Sequence, residues 1–481
     1  MNYLSTLFLA LGGAIALAAA PAPELIRGEF PDAHHVAIRH SGTSWAVDYA
    51  LAFTNGGWQT DTAALAWEPG HYQYKYVVDG VWQEGANRYA YVDPAGHLRS
   101  PPALYLTWQR DPTTTMTIHW HGDDAREPAR VIYRTPDTPL ALTATGTSRF
   151  LAAGLDRHIH TVELTGLTPG QTYTFQAGTQ SVWHSFRTLP ARLEEPLRFI
   201  EGGDVYEIGA VLDAMNRRVG TRDPAFVILG GDLAYADGAP EKGQRWLRFF
   251  ASFYENLRAP DGRLIPLVVA IGNHEVQNHY LETHADYQPG PAWREKVAPH
   301  FYPLFAFPGH PGYNVLDVGD YLSLVILDSG LTTPLDGEQL DWLKQTLADR
   351  RHVPHLFPIY HIPAYPSVRS PHEPRSTFLR QVWVPQFEQA GVRLAFEHHD
   401  HAFKVTHPMR GGRRHPDGIV FAGDGAWGVG LRVPADPPPA YLRKTLPIHH
   451  FFEVTLTATN RSVIARDLLG DELDAFTQPL P

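Results

Sequence analysis

From Pro196 onward the chain repeats one arrangement, a short apolar run that stops abruptly at a polar cluster. Arg198-Phe199-Ile200, Phe226-Val227-Ile228-Leu229, Leu267-Val268-Val269-Ala270-Ile271 and Leu356-Phe357-Pro358-Ile359-Tyr360 are such runs. Their apolar residues are contiguous rather than alternating, so each is expected to be a strand buried on both faces. Between some of them lie stretches with helical spacing, for example Glu338-Gln339-Leu340-Asp341-Trp342-Leu343-Lys344-Gln345-Thr346-Leu347. Buried strands alternating with helices predict a mixed α/β domain over 191–481. In such sheets ligands collect at the carboxyl ends of strands, which is where the polar clusters fall.

Ahead of Pro196 the texture differs. Residues 21–190 read as β-rich, with runs such as His71–Val78 and Thr115–Trp120 between the turn signals Pro69-Gly70, Asp79-Gly80 and Pro169-Gly170. No useful stretch of helical spacing occurs there. Two β-sandwiches are expected, over 21–101 and 102–190, with the break near Ser100-Pro101-Pro102 and a Pro/Glu linker from Leu189 to Pro196. The fold class expected is therefore α+β multidomain: two N-terminal β-sandwiches, then a C-terminal mixed α/β sandwich.

Residues 4–20 form an apolar run, and Ala16-Leu17-Ala18 fits an A-x-A cleavage site, so residues 1–20 are expected to be a signal peptide. No Lys or Arg precedes Arg27, which leaves an uncleaved anchor as the competing reading. No second apolar run of that length follows. The chain is expected to be secreted or periplasmic, with no stable membrane span after cleavage.

Composition narrows the chemistry. The net charge is −11 and no Lys/Arg block stands out, which argues against a nucleic-acid partner. An anionic substrate would have to be drawn by local cations against the global field. The absence of cysteine excludes disulfides, thiolate zinc sites and iron–sulfur clusters.

The polar clusters are Gly203-Asp204-Val205-Tyr206, Gly231-Asp232-Leu233-Ala234-Tyr235, Gly272-Asn273-His274-Glu275, Tyr360-His361-Ile362-Pro363 and His398-His399-Asp400-His401. One Asp or His past a strand is commonly a turn or a cap. Five clusters in series, all rich in oxygen or imidazole donors, point instead to metal ligation. His399 and His401 are two residues apart, so on an extended segment they point the same way and could ligate neighbouring ions.

These clusters resemble the metallophosphoesterase signature in the form it takes in purple acid phosphatases. Ile326-Leu327-Asp328-Ser329 and Gln339-Leu340-Asp341-Trp342-Leu343 extend the resemblance. Leu106-Thr107-Trp108, Met116–Trp120 and Leu167-Thr168-Pro169-Gly170-Gln171-Thr172-Tyr173 are similar to that family's fibronectin III-like N-terminal domain. The most specific element is Gly-Asp-x-x-Tyr at 231–235, because ordinary metallophosphoesterases lack the tyrosine. The resemblance implies a metallophosphoesterase domain over 191–481. It assigns Asp204, Asp232, Tyr235 and His401 to a first metal and Asp232, Asn273, His361 and His399 to a second, with Asp232 bridging. A phenolate with carboxylates suits Fe(III); an amide oxygen with two imidazoles suits Zn, Mn or Fe(II).

The implied reaction is hydrolysis of a phosphate monoester by a metal-bound hydroxide. The rival readings are a phosphodiesterase on the same site and a polysaccharide-binding surface protein with a non-catalytic phosphatase-like domain. His274 matches the family's histidine next to a ligand and is expected to stabilise the phosphoryl group or help protonate the leaving group. Three departures stand out. Tyr206 occupies a position usually Gly and is expected to crowd or supplement the first metal. His398 replaces the Gly before the paired histidines. The family's acid-assisting histidine is not at its usual place, and His372 is the nearest substitute.

Residues about 30–100 resemble a carbohydrate-binding early-set domain of the glycogen-binding type, carried by Pro69 to Trp82. Trp45 and Trp82 fall where that family stacks glucose rings and Lys75 matches its lysine, which implies glucan as a possible partner of 21–101. The closing segment Gly96 to Ser100 lacks the family's asparagine. The favoured expectation is a structural sandwich whose tryptophans fill a core or a domain interface.

Overall fold

The computed structural model describes residues 25–480, and the expected signal peptide at 1–20 lies outside them. Among the described residues no helix is long and apolar enough to cross a membrane. The chain divides into two compact units: one runs through Glu84 and takes in Ala90–Arg99, the other comprises Gly85–Tyr89 and everything from Ser100 onward.

The first unit is built of short antiparallel strands. One sheet orders Ile26–Gly28, Gly57–Thr60 and Ala52–Thr54; a second has Val36–His40 and Gly70–Val78 at its centre. Its core is Val36, Ile38, Leu51, Leu65, Trp67, Tyr74, Tyr76 and Val92. The tryptophan that fills this core is Trp67, whose ring stacks on Tyr72 at 4.6 Å between centroids. The expectation for the other two tryptophans needs correcting. Trp82 is 41% exposed and Trp45 is half-buried, and their rings face each other at 6.1 Å. Trp82 sits at the tip of a hairpin closed by Asp79-Gly80, where the two-residue strand Val81–Trp82 turns away from the core. Lys75 is half-buried on Gly70–Val78, opposite Arg39, whose guanidinium lies 5.1 Å from the Trp82 ring centroid.

The second unit opens with a β-sandwich of two four-stranded antiparallel sheets. One orders Leu104–Thr107, Met116–Gly122, Arg157–Leu164 and Thr147–Leu151; the other orders Leu142–Thr145, Arg130–Arg134, Thr172–Ala177 and His184–Arg187. Inward residues such as Ile118, Trp120, Phe175 and Phe186 are fully buried, each contributing about 1.5–3 kcal/mol of hydrophobic stabilisation.

Two mixed sheets follow. The first has six strands: Leu267–Val269, Val227–Leu229 and Leu197–Gly202 run parallel, and His450–Leu456, Asn460–Asp467 and Glu472–Pro479 continue it antiparallel. The second has seven, with Leu322–Leu327, His355–Tyr360, Leu394–Phe396 and Val420–Gly423 parallel at its centre. The apolar runs are the buried parallel strands, as their lack of alternation required. The helically spaced run is the helix Glu338–Asp349, which buries Leu343 and Leu347. Phe199, Ile228, Leu324, Phe357, Phe396 and Val454, drawn from both sheets, share one core. Both sheets thereby present the carboxyl ends of their parallel strands to one region, and the polar clusters occupy it.

Candidate metal centre

Each donor leaves a strand at its carboxyl end. Asp204 follows Leu197–Gly202, Asp232 follows Val227–Leu229, Asn273 follows Leu267–Val269, His361 follows His355–Tyr360, and His399 and His401 follow Leu394–Phe396. The backbone at these exits is tightly turned. Asp204, Asp232 and Tyr235 each have φ of 54°, His399 has 83° and His401 57°. Left-handed backbone at a non-glycine residue costs about 1–3 kcal/mol and persists where the surroundings impose it, commonly at functional sites. The turns also pack backbone on backbone: a Cβ at Gly272 would meet Asp232 N at 2.1 Å, so only glycine fits there.

The donors form two groups sharing Asp232. Donor atoms of Asp204, Asp232 and His401 lie within 4.8 Å of one another, as do those of Asp232, His361 and His399. Tyr235 Oη joins the first group, 3.0 Å from His401 Nε2 and 3.3 Å from Asp204 Oδ1. Asn273 Oδ1 joins the second, 3.1 Å from His361 Nε2. Backbone carbonyls fix two of the rings. His361 Nδ1 lies 3.0 Å from Gly230 O and His401 Nδ1 3.0 Å from Gly430 O, so each donates there and leaves its Nε2 lone pair for the centre.

The electrostatics are those of a cation site. Asp232 Oδ2 is buried without a hydrogen bond among the described residues, and His361 Nε2 faces it at 3.2 Å. Burial opposes charging of His361, yet the carboxylates of Asp232 and Asp204 push it up to about 9. Burial, then Asp204 and Asp232, drive the Tyr235 phenol far above its ordinary range. A buried carboxylate oxygen facing the His361 imidazole, among further imidazole, carboxylate and phenol groups, fits a site for positive ions.

His274 lies beside this group. Its backbone N–H donates to Asp232 Oδ1 at 2.8 Å, its Nδ1 is 2.5 Å from Asp237 Oδ1, and its ring stacks on Tyr235 at 4.3 Å. Burial lowers its affinity for a proton, but Asp232 and Asp237 outweigh that and hold its pKa above the ordinary value. His372 is exposed on the segment before the helix Pro374–Phe378, its backbone N–H bonded to Ser370 Oγ, and it is not in the donor groups. Tyr206 neither crowds nor joins them. Its ring is 2% exposed in the core with Leu212 and Leu233, beneath the Arg245 guanidinium at 4.7 Å. Arg245 also donates to Tyr206 O and Ala234 O, clamping the two loops together.

His398 has its own reason. Its fully buried ring lies against the two loop glycines, where a Cβ at Gly203 would meet it at 2.4 Å and one at Gly230 at 1.8 Å. Its Nδ1 is 3.0 Å from Tyr360 O and its Nε2 2.5 Å from Glu201 Oε1. The imidazole thus replaces side-chain volume that glycine removes from both loops.

Three further features were missed by sequence reasoning. Glu275 accepts from the backbone N–H groups of Asp232, Leu233 and Gly272 and ties two donor loops together. Asp237 orients His274. Arg369 and Arg432 both donate through Nη1 to His399 O, at 2.6 and 3.2 Å, and Arg369 Nη1 also pairs with buried Asp400 Oδ1 at 2.7 Å. The Glu after Gly272-Asn273-His274 and the Asp two past Tyr235 were adjacent signals; nothing in the sequence marked the arginines.

The family description "Calcineurin-like phosphoesterase" matches residues 183–403, and "Purple acid Phosphatase, N-terminal domain" matches residues 101–188. Residues 101–403 thus carry the domain pair of the purple acid phosphatases. An uncharacterized protein of Mycobacterium tuberculosis is 27% identical over 350 residues, covering 66% of this chain and 64% of that relative's length. Purple acid phosphatase 18 of Arabidopsis thaliana is 25% identical over 338 residues, covering 68% of this chain and 72% of that protein. In fold the chain is similar to purple acid phosphatase PPD1 from yellow lupin (Lupinus luteus) seeds, with a TM-score of 0.67 at 17% identity over 91% of this chain and 83% of that one.

Proposed function

We propose that this chain is a metal-dependent phosphoric ester hydrolase acting on phosphate monoesters. The observation that carries the reading is Asp232, shared by two donor groups and buried with Oδ2 free of any hydrogen bond among the described residues. Asp204, Tyr235 and His401 would hold one ion, Asn273, His361 and His399 the other, and Asp232 would stand between them. Two bound cations supply Lewis acidity, an activated water and neutralisation of the phosphoryl charge.

The chain's own groups do the rest. His274, its Nδ1 fixed by Asp237, holds a proton at Nε2 for the leaving oxygen. A pair of cations favours a phosphate dianion over a diester monoanion, and the Arg432 guanidinium on His399 O adds positive charge beside a donor residue, whereas that of Arg369 is paired with Asp400 at 2.7 Å. Monoesters should therefore be cleaved at least about tenfold faster in kcat/KM than diesters, a difference of roughly 1.4 kcal/mol in transition-state stabilisation. A panel of aryl mono- and diesters measured from acid to neutral pH checks this. Diester turnover equal to or above monoester turnover would favour the phosphodiesterase reading.

The donor set also bears on which metals bind. A phenol with two carboxylates is a hard, anionic donor set that favours Fe(III) beside Tyr235, and an amide oxygen with two imidazoles favours Zn, Mn or Fe(II) beside Asn273. The purified protein should then absorb in the visible through phenolate-to-metal charge transfer, and Tyr235→Phe should abolish the band while keeping measurable hydrolysis. A colourless, fully active protein holding only zinc or manganese would remove iron and leave the hydrolase.

A further inference from the structure

The parallel strands that deliver the metal donors begin at a second polar region. Pro354, Arg393 and Ile419 immediately precede the strands His355–Tyr360, Leu394–Phe396 and Val420–Gly423, so they lie at the end remote from His361 and His399. Six strand residues at about 3.3 Å each separate the two ends by roughly 20 Å. These residues line an open cleft of about 590 Å³ whose charged walls are Arg351, Arg393, Arg410, Arg461, Glu388 and Asp417. That volume is in the range of small-molecule sites.

Arg461 is the informative member. It is 3% exposed, on the strand Asn460–Asp467. One Nη donates to Pro354 O at 2.9 Å, the guanidinium lies 5.3 Å from the Phe357 ring centroid, and its Nε is buried without a hydrogen bond. Among the described residues no carboxylate lies within ion-pair distance of Arg461, Arg351 or Arg410. Asp417 is taken by Arg393 at 3.4 Å, and Glu388 accepts from Gly411 N at 2.8 Å. Burial and the neighbouring Arg393 pull Arg461 down to about 10. An unpaired buried guanidinium is costly, and a second arginine beside it raises the cost. The walls carry two more cations than anions in a chain whose net charge is −11.

We propose that this cleft is a second anion site, distinct from the metal centre, that binds a small dianionic oxyanion through Arg461, Arg393, Arg351 and Arg410. Guanidinium groups present paired N–H donors that match the oxygens of phosphate and carboxylate alike, and the surplus of two positive charges matches a dianion. Organic phosphates and dicarboxylates share that chemistry.

The test is calorimetric titration of the metal-loaded full-length protein, once with inorganic phosphate and once with succinate. Wild type should bind two phosphates per chain. The double variant Arg351→Gln/Arg410→Gln changes only exposed side chains. It should retain the metal-centre phosphate and its monoester kcat/KM, and bind the second phosphate about tenfold or more weakly. Succinate binding with the same arginine dependence would extend the site to dicarboxylates, and its failure to bind would assign the site to phosphate. A single phosphate per chain in wild type, or an unchanged second site in the double variant, would overturn the proposal. Arg461→Met guards against a purely structural role. It should reduce the phosphate-induced rise in Tm to the part that binding at the metal centre supplies, without lowering the ligand-free Tm. A lowered Tm with the phosphate response intact would show a brace between strands and refute the site.

Discussion

Asp232→Ala should abolish metal binding and activity together, lowering monoester kcat/KM by at least about a thousandfold, or about 4 kcal/mol of transition-state stabilisation. Asp232 belongs to both donor groups, so its removal strips a ligand from two ions at once. It also leaves His361 and Tyr235 with Asp204 alone of the two carboxylates that perturb both. The fold should survive, because Asp232 Oδ1 makes one backbone hydrogen bond, to His274 N, and Oδ2 makes none among the described residues. Circular dichroism and a melting curve separate loss of site from loss of fold. Asn273→Ala, which touches only the second group, should weaken one ion and spare the other. Equal loss of both ions in the two variants would mean that the centre is not arranged around a shared Asp232.

Lys404→Met should destabilise the protein by about 3–5 kcal/mol without removing any metal donor. Lys404 is fully buried between Glu397 and Asp424, themselves fully buried. Its Nζ lies 2.8 Å from Asp424 Oδ1, donates to Tyr365 O at 2.5 Å and contacts Glu397 Oε2. Glu397 accepts in addition from Tyr360 Oη at 2.6 Å and Ala364 N at 2.7 Å. Methionine keeps most of the volume and leaves two carboxylates facing each other in the core.

The pH dependence follows from sign. Burial already holds the Asp424 carboxyl well above the usual carboxylate range, although Lys404 opposes this, and losing Lys404 raises it further. A group whose folded pKa exceeds its unfolded value binds more protons when folded, so stability falls as pH rises through the folded value. The variant's deficit should therefore be larger at pH about 8 than at about 5. Urea unfolding at the two pH values measures it. A deficit below about 1 kcal/mol at both would show that water or rearranged side chains satisfy the carboxylates.

The legibility of the sequence varied with the physics behind each feature. Contiguous apolar runs such as Phe226–Leu229 were readable because a strand buried on both faces has no other pattern, and the helix at Glu338 was readable from its spacing. The donors at the carboxyl ends were visible for the same reason: a strand that ends in Asp, Asn or His has changed environment at that residue. Tyr206 and His398 were not readable. Whether a side chain at a loop position turns toward the centre or into the core depends on partners far along the chain, Arg245 for Tyr206 and Glu201 for His398. Arg369 and Arg432 were hidden likewise, because they meet only through the carbonyl of His399. Trp45 and Trp82 were misplaced because tryptophan suits a core and a surface equally, and only Trp67 sits where its neighbours enclose it.

The most direct test of a two-metal centre organised by Asp232 is metal content by mass spectrometry on the purified wild-type chain, followed together with monoester turnover as a chelator removes the ions and defined metals restore them. Two ions per chain are expected at full activity, with turnover that falls and returns with their occupancy. Full turnover in a chain carrying one ion or none would contradict a two-metal centre.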